Sequence, residues 1–241
     1  MHPSLVDAAI QRTRRYWFID GLVELGMGLY SVTLGILWFV RGWVGPDSAL
    51  GLGLLLLSAL FGLLYALLSR PLIGWLRERL TYPRTGYAPP PRPSHRDLVI
   101  GGLVGAGVGI LLVCATLGAV ILAIANLFQP HGEESLRTTL GLLKILVPGG
   151  IGLLVGGILA YIAAYYKLLR FYLLAGFSWL VGGVLSGLVA SYGGVTGVEW
   201  NDAWRTSGLA FLFIGGALIL SGAVTLRTYL RDNPLPVEEP A

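Results

Sequence analysis

The sequence predicts an all-α fold, a polytopic bundle of six membrane-spanning helices, on three observations. Hydrophobic residues make up 55% of the 241-residue chain and charged residues only 12%, against about a quarter charged in an ordinary soluble domain. Six apolar stretches reach bilayer length, and the basic residues between them alternate from side to side. Mean hydropathy is +0.73. Such a chain lacks the polar surface to face water all round, which excludes a soluble globular domain. Its 35 glycines follow no G-X-Y period, which excludes collagen. The one cysteine, Cys114, excludes an internal disulfide and a multi-cysteine metal site.

A membrane helix needs about 20 mainly apolar residues, because the hydrocarbon core is about 30 Å thick and each residue rises about 1.5 Å. The first span, about 17–40, meets that length although Asp20 and Glu24 stand near its start. Its apolar stretch is too long for a cleaved signal peptide, so a retained signal anchor is expected. The second span covers about 50–69. A connection over 70–97 follows, in which Pro71 to Leu80 mixes Leu72, Ile73, Trp75 and Leu76 with Arg77, Glu78 and Arg79. That mixture suits a short helix lying in the membrane interface. Proline and glycine in Tyr82-Pro83-Arg84-Thr85-Gly86-Tyr87 are placed for a turn, and Pro89, Pro90, Pro91 and Pro93 enforce an extended stretch.

The third span covers about 98–128 and the fourth about 142–166. Within the fourth, Pro148 precedes Gly149 and Gly150; the missing backbone donor and the two glycines predict a kink. The fifth covers about 171–192, with a loop starting near Ser191-Tyr192-Gly193-Gly194, and the sixth about 206–227. All six form one integral domain over 1–241.

Positive charge resists translocation, so the basic residues orient the chain. Arg12, Arg14 and Arg15, the six arginines of 70–97, Lys167 and Arg170, and Arg227 and Arg231 fall on one side. Arg41, Arg137, Lys144 and Arg205 fall on the other. Both termini are therefore expected in the cytoplasm of a bacterial cell, with the chain multi-pass in its inner membrane. Trp17, Trp38, Trp43, Trp75, Trp200 and Trp204 fall at the membrane edges, where an amphipathic ring suits the headgroup layer.

Small residues let helices approach closely where lipid removes any hydrophobic drive to associate. Gly101, Gly105 and Gly109 make such a stripe in the third span. Gly152 and Gly156, Gly183 and Gly187, and Ser58, Gly62 and Ala66 do so elsewhere, while Gly21, Gly28 and Gly35 repeat every seven. Arg15-Tyr16-Trp17 parallels Arg170-Phe171-Tyr172, and Gly21 then aligns with Gly176. This weak internal repeat suggests three helical hairpins in one orientation.

Asp20 and Glu24 are the residues most worth following. Four apart, they share a helical face one to two turns inside the membrane, continued by Gly28, Ser31 and Gly35. An ionised acid there needs a compensating cation or donor. Arg84, Arg92, Arg96, Arg170 and Arg227 are the candidate partners. The acids then act either as a structural clamp on the cytoplasmic connection or as a proton or cation relay. The near absence of further polar residues across the bilayer favours the clamp.

Arg14-Arg15-Tyr16-Trp17-Phe18-Ile19-Asp20-Gly21, Tyr82-Pro83-Arg84-Thr85-Gly86-Tyr87 and Tyr229-Leu230-Arg231-Asp232-Asn233-Pro234 together carry a resemblance. In these motifs the chain resembles a group of uncharacterised bacterial polytopic membrane proteins, which carry a similar aromatic-acid-glycine entry to the first helix and a similar Y-P-R-T-G-Y loop. The resemblance implies no activity. It implies that Asp20 and the loop carrying Tyr82, Arg84 and Tyr87 are a paired feature, with Arg84 on Asp20 or Glu24.

His2, His95 and His131 lie in three separate segments, and no H-E-x-x-H, G-x-S-x-G or phosphate-loop pattern occurs. No catalytic, cofactor-binding or metal-binding residue is expected, and the balance leans against an enzyme. The 70–97 connection carries six arginines against Glu78 and Asp97. Besides the bilayer itself, its natural counter-surface is anionic inner-leaflet lipid. No recognition fold for nucleic acid surrounds it. The favoured expectation is a non-catalytic membrane scaffold or interaction protein, with a second copy or a membrane subunit as partner. The alternative is a small-solute or ion transporter using Asp20, Glu24 and the bend at Pro148.

Overall fold

The computed structural model describes residues 18–45, 48–85, 132–197 and 200–235. These residues are helical and connecting segments only: α1 (Leu22–Val44), α2 (Ala49–Leu80), α3 (Tyr82–Thr85), α4 (Gly132–Tyr166), α5 (Leu169–Gly197) and α6 (Trp200–Asp232). Five of the six are long and apolar enough to cross a membrane, namely all but α3. The chain is an all-α, multi-pass membrane bundle. The expected span at 98–128, with Gly101, Gly105 and Gly109, lies outside the described residues.

Local chemistry sets the helix ends. Gly45, at φ +90°, closes α1 with its N–H on the Arg41 carbonyl, and the Ser48 hydroxyl accepts the Gly51 N–H to cap α2. Between α4 and α5, Lys167 takes a left-handed φ of 53° and Leu168 donates back to the Ala163 carbonyl. That pairing satisfies an orphan carbonyl at the helix end and reverses the chain within two residues.

Among the described residues the closest helix pair is α1 with α6. α1 and α6 run antiparallel with glycine against glycine: Gly21 on Gly222, Gly28 on Gly215 and Gly35 on Gly208, with Gly42 beside Asn201. A Cβ built on Gly28 would stand 2.7 Å from Ile219 Cγ1 and 2.9 Å from the Gly215 carbonyl, and one on Gly35 would stand 2.9 Å from the Gly208 carbonyl. Both stripes repeat every seven residues, the period that keeps two gently supercoiled helices in register. Gly21 also sits at φ +70°, a conformation that a side chain rarely adopts.

α4 and α5 form the second close pair. Gly152 meets Gly182, Gly149 faces the Ser186 hydroxyl, and Gly156 makes room for the Trp179 ring. The two pairs meet over a core that includes Leu159, Ala163, Phe171, Leu185, Ile214 and Leu218. α2 leans on α1 from outside through the ring stack of Tyr30 with Tyr65 (centroids 4.2 Å apart) and Phe61 (5.6 Å). Most of its leucines, Leu56, Leu60 and Leu67 among them, are exposed, as lipid-facing side chains are.

Several expectations change here. Pro71 to Leu80 is not a separate interfacial helix: α2 runs 32 residues straight through Pro71. Proline costs one donor there, while beyond it Ile73 packs on Gly26 and Arg77 bonds Asp20, which hold the helix on course. Tyr82–Thr85 is a helical turn rather than a loop. α4 likewise continues as helix through buried Pro148, whose carbonyl would lie 3.0 Å from a Cβ at Gly182. The segment packs on α5 within one continuous helix. Among the described residues nothing lies within 4 Å of a Cβ at Gly183 or Gly187, and the α4 contact falls on Gly182 instead. Among the described residues the glycine contacts join α1 to α6 and α4 to α5, across the expected hairpins, while the hairpin of 98–128 with 142–166 lies partly outside those residues. Gly176, with nothing within 4 Å of a Cβ among the described residues, lacks the close helix contact of its proposed counterpart Gly21.

Candidate functional site

One end of the bundle collects the start of α1, the end of α2, the α4–α5 turn and the end of α6. Asp20 and Glu24 are buried there, 4% and 0% exposed. Each carboxylate has its own arginine, and each arginine comes from a different helix.

Asp20 precedes α1 and accepts the Leu22 N–H at 3.2 Å through Oδ1. Arg77, from the last turn of α2, donates from Nε to Oδ2 at 2.6 Å and from Nη2 to Oδ1 at 3.3 Å. This two-point grip fixes the planar fork against the planar carboxylate. Both side chains are about 5% exposed, so the pair is a buried one. Arg77 also turns its own carbonyl to the N–H and hydroxyl of Thr81, closing α2.

Glu24, one turn further into α1, accepts the Ser221 hydroxyl of α6 at 2.6 Å on Oε2. Arg170, at the start of α5, brings Nη2 to 2.7 Å from Oε1. That approach is a charge contact lying off the N–H axes, while Nη2 donates one of its two hydrogens to the Phe18 carbonyl. Nη1 donates to Thr225 Oγ1 of α6 at 2.9 Å. Phe18 completes the floor, its ring against Tyr166 of α4 (4.5 Å) and Phe171 of α5 (5.2 Å). All five long helices therefore meet around two acids and two arginines.

Arg84 does not join them. It donates from Nη1 to the carbonyls of Leu230 (3.3 Å) and Asn233 (3.0 Å), while Thr85 shares a hydrogen bond with the Tyr229 hydroxyl at 2.7 Å. The expected Arg84–Asp20 or Arg84–Glu24 contact is thus corrected: α3 lies a turn beyond Arg77, at the level where α6 runs out of helix and offers unpaired carbonyls. Tyr82 sits on the same short helix, and Tyr87 lies outside the described residues. Replacing Arg84 with alanine should free the C-terminal segment at about 1–2 kcal/mol of local stability. Limited proteolysis after Tyr229 is the readout; an unchanged cleavage rate would mean that Arg84 holds nothing.

The sequence pointed to Arg170 among five candidates and missed Arg77. The signal was available. Asp20 and Arg77 stand at comparable sequence distances from the connection between α1 and α2, so reading 50–80 as one helix places them at one depth. The hydroxyls of Ser221 and Thr225, four apart on α6 and facing the acids, carry no such mark in the sequence.

Comparisons with protein-family models, curated proteins and solved structures return no match.

Proposed function

We propose that this chain is a non-catalytic membrane scaffold or interaction protein of the bacterial inner membrane. In this reading both termini and the 70–97 connection are cytoplasmic, and the basic inner face engages anionic lipid or a partner subunit. One observation carries it: Asp20 and Glu24 are each held by an arginine of another helix, Arg77 and Arg170, deep in the packed end of the bundle. Charges so paired tie helices together. Truncating one partner of such a pair is costly, while the pair itself adds modest stability and fixes how the elements meet. The orientation draws support from charge, since among the described residues Arg77, Arg79, Arg84, Lys167, Arg170, Arg227 and Arg231 gather at the acid end.

The alternative, small-solute or ion transport through the acidic pair, draws on Glu24, which is fully buried beside Ser221. A relay would have to continue along α1. There Gly28 and Gly35 press on Gly215 and Gly208, and the Ser31 hydroxyl is turned back onto its own Met27 carbonyl. Glu24→Gln separates the readings. The scaffold reading expects no proton or cation flux from wild-type proteoliposomes above protein-free ones, and lowered thermal stability in the variant. A wild-type flux that Glu24→Gln abolishes while assembling normally would overturn it in favour of transport.

A further inference from the structure

We infer that the opposite end of the bundle holds a binding site for a phosphate group, built on Arg41. Arg41 lies in the last turn of α1 and is only 7% exposed. Its guanidinium stacks over the Trp204 ring at 4.3 Å, yet Nε and Nη1 are buried without a hydrogen-bond partner. Among the described residues, no carboxylate stands within ion-pair reach of it. Asp202, the acid at this end, is engaged by Arg205 at 3.5 Å.

The surroundings repeat the pattern. Trp38, three residues before Arg41 and so on the same face of α1, has its ring edge-on to Trp204 at 5.0 Å and its Nε1 buried and unpaired. Asn201, beside Gly42, has Oδ1 unpaired as well; turning that amide over would present its NH2 group. The N-terminus of the 33-residue α6 begins here and adds its partial positive charge. Arg205 lies on the Gly42 carbonyl and the Trp43 ring, so cations outnumber acids among the described groups.

The C-terminal dipole of α1 and the stacking on Trp204 favour Arg41, but each offsets only part of what a buried, unpaired charge costs. Neither satisfies its N–H donors, and buried donors without acceptors call for a ligand or water. A tetrahedral oxyanion offers acceptors in several directions, which suits donors from different edges of a guanidinium and from an indole. The site stands at the ends of membrane-spanning helices, where lipid phosphates lie. A lipid headgroup and free inorganic phosphate share this chemistry.

The test uses the full-length chain, delipidated in an uncharged maltoside. Its thermal midpoint is followed during titration with inorganic phosphate, with a phosphatidylglycerol, or with a glucosyl diacylglycerol of the same chains. The phosphatidylglycerol should raise the wild-type midpoint and the glucolipid should not. A response to inorganic phosphate as well would identify the free anion as sufficient, and a response to phospholipid alone would identify the headgroup. Arg41→Gln should weaken the response at least about tenfold, the scale of a lost charge-assisted hydrogen bond. Trp38→Phe, which keeps a ring and loses the N–H, should weaken it several-fold and keeps the test open where Arg41→Gln fails to fold. The proposal is overturned where neither phosphate form shifts the wild type, or where Trp38→Phe and any folded Arg41→Gln respond as the wild type does.

Discussion

Replacing Gly28 with leucine is expected to separate α1 from α6 and leave little folded protein in detergent. Even the first carbon of a side chain would stand 2.7 Å from Ile219 Cγ1, 2.8 Å from the Ile219 nitrogen and 2.9 Å from the Gly215 carbonyl. Two of those three atoms are backbone and cannot swing aside. Overpacking a filled core by a methylene or two costs about 1–3 kcal/mol; a leucine wedged between two backbones exceeds that range. Lipid supplies no hydrophobic force to press the helices back together. Gly215→Leu should fail in the same way, because a Cβ there would stand 2.8 Å from the Val32 nitrogen. Gly183→Ala is the control. Among the described residues nothing lies within 4 Å of a Cβ there, and alanine is favoured over glycine by about 1 kcal/mol in a helix interior. Thermal midpoint and monodispersity in detergent decide the matter. A well-folded Gly28→Leu variant would show that α1 and α6 do not meet through this stripe.

Arg170→Ala is expected to have the second large effect, about 3–5 kcal/mol of destabilisation, the usual cost of leaving one member of a buried ion pair without the other. Glu24 would keep the Ser221 hydroxyl as its remaining polar contact among the described residues. Thr225 and the Phe18 carbonyl would lose a donor as well. Arg170→Lys should recover part of the loss. An ammonium restores the charge, but it lacks the planar fork that reaches the Glu24 carboxylate, the Thr225 hydroxyl and the Phe18 carbonyl together. Because the pair is largely buried, added salt should change its contribution little. Variants as stable as wild type in unfolding experiments would remove Arg170 from the account.

Much of the fold is legible in the chain because oil imposes a crude rule. Runs of leucine, valine and glycine long enough to cross a bilayer mark α1, α2, α4, α5 and α6 before any packing is known. The breaks are less legible. Pro71 reads locally as the start of a new element, yet Ile73 on Gly26 and Arg77 on Asp20 carry α2 past it, and those contacts are tertiary. The glycine pattern was half visible. Gly21, Gly28 and Gly35 announce a heptad, and Gly208, Gly215 and Gly222 repeat it in α6, but only the fold shows that the two stripes face each other. Gly183 and Gly187 show the converse, since spacing of four marks a stripe without saying whether anything covers it. At the site, charge logic required partners for Asp20 and Glu24. Which arginines supplied them depended on helix lengths and depth, so Arg84 looked eligible and Arg77 did not. Arg41 reads in sequence as one of four basic residues on the less basic side; its burial, and the unpaired donors around it, belong to the folded structure alone.

The direct test of whether the acids bind the helices together is a double-mutant cycle on Glu24 and Arg170, read as unfolding free energies of Glu24→Ala, Arg170→Ala and the double variant. The ion-paired tie predicts that the double variant loses clearly less than the two single losses combined, with a coupling of about 1–3 kcal/mol. Losses that simply add would contradict it, for they would mean that Glu24 and Arg170 stabilise the bundle independently and that no such tie holds its helices.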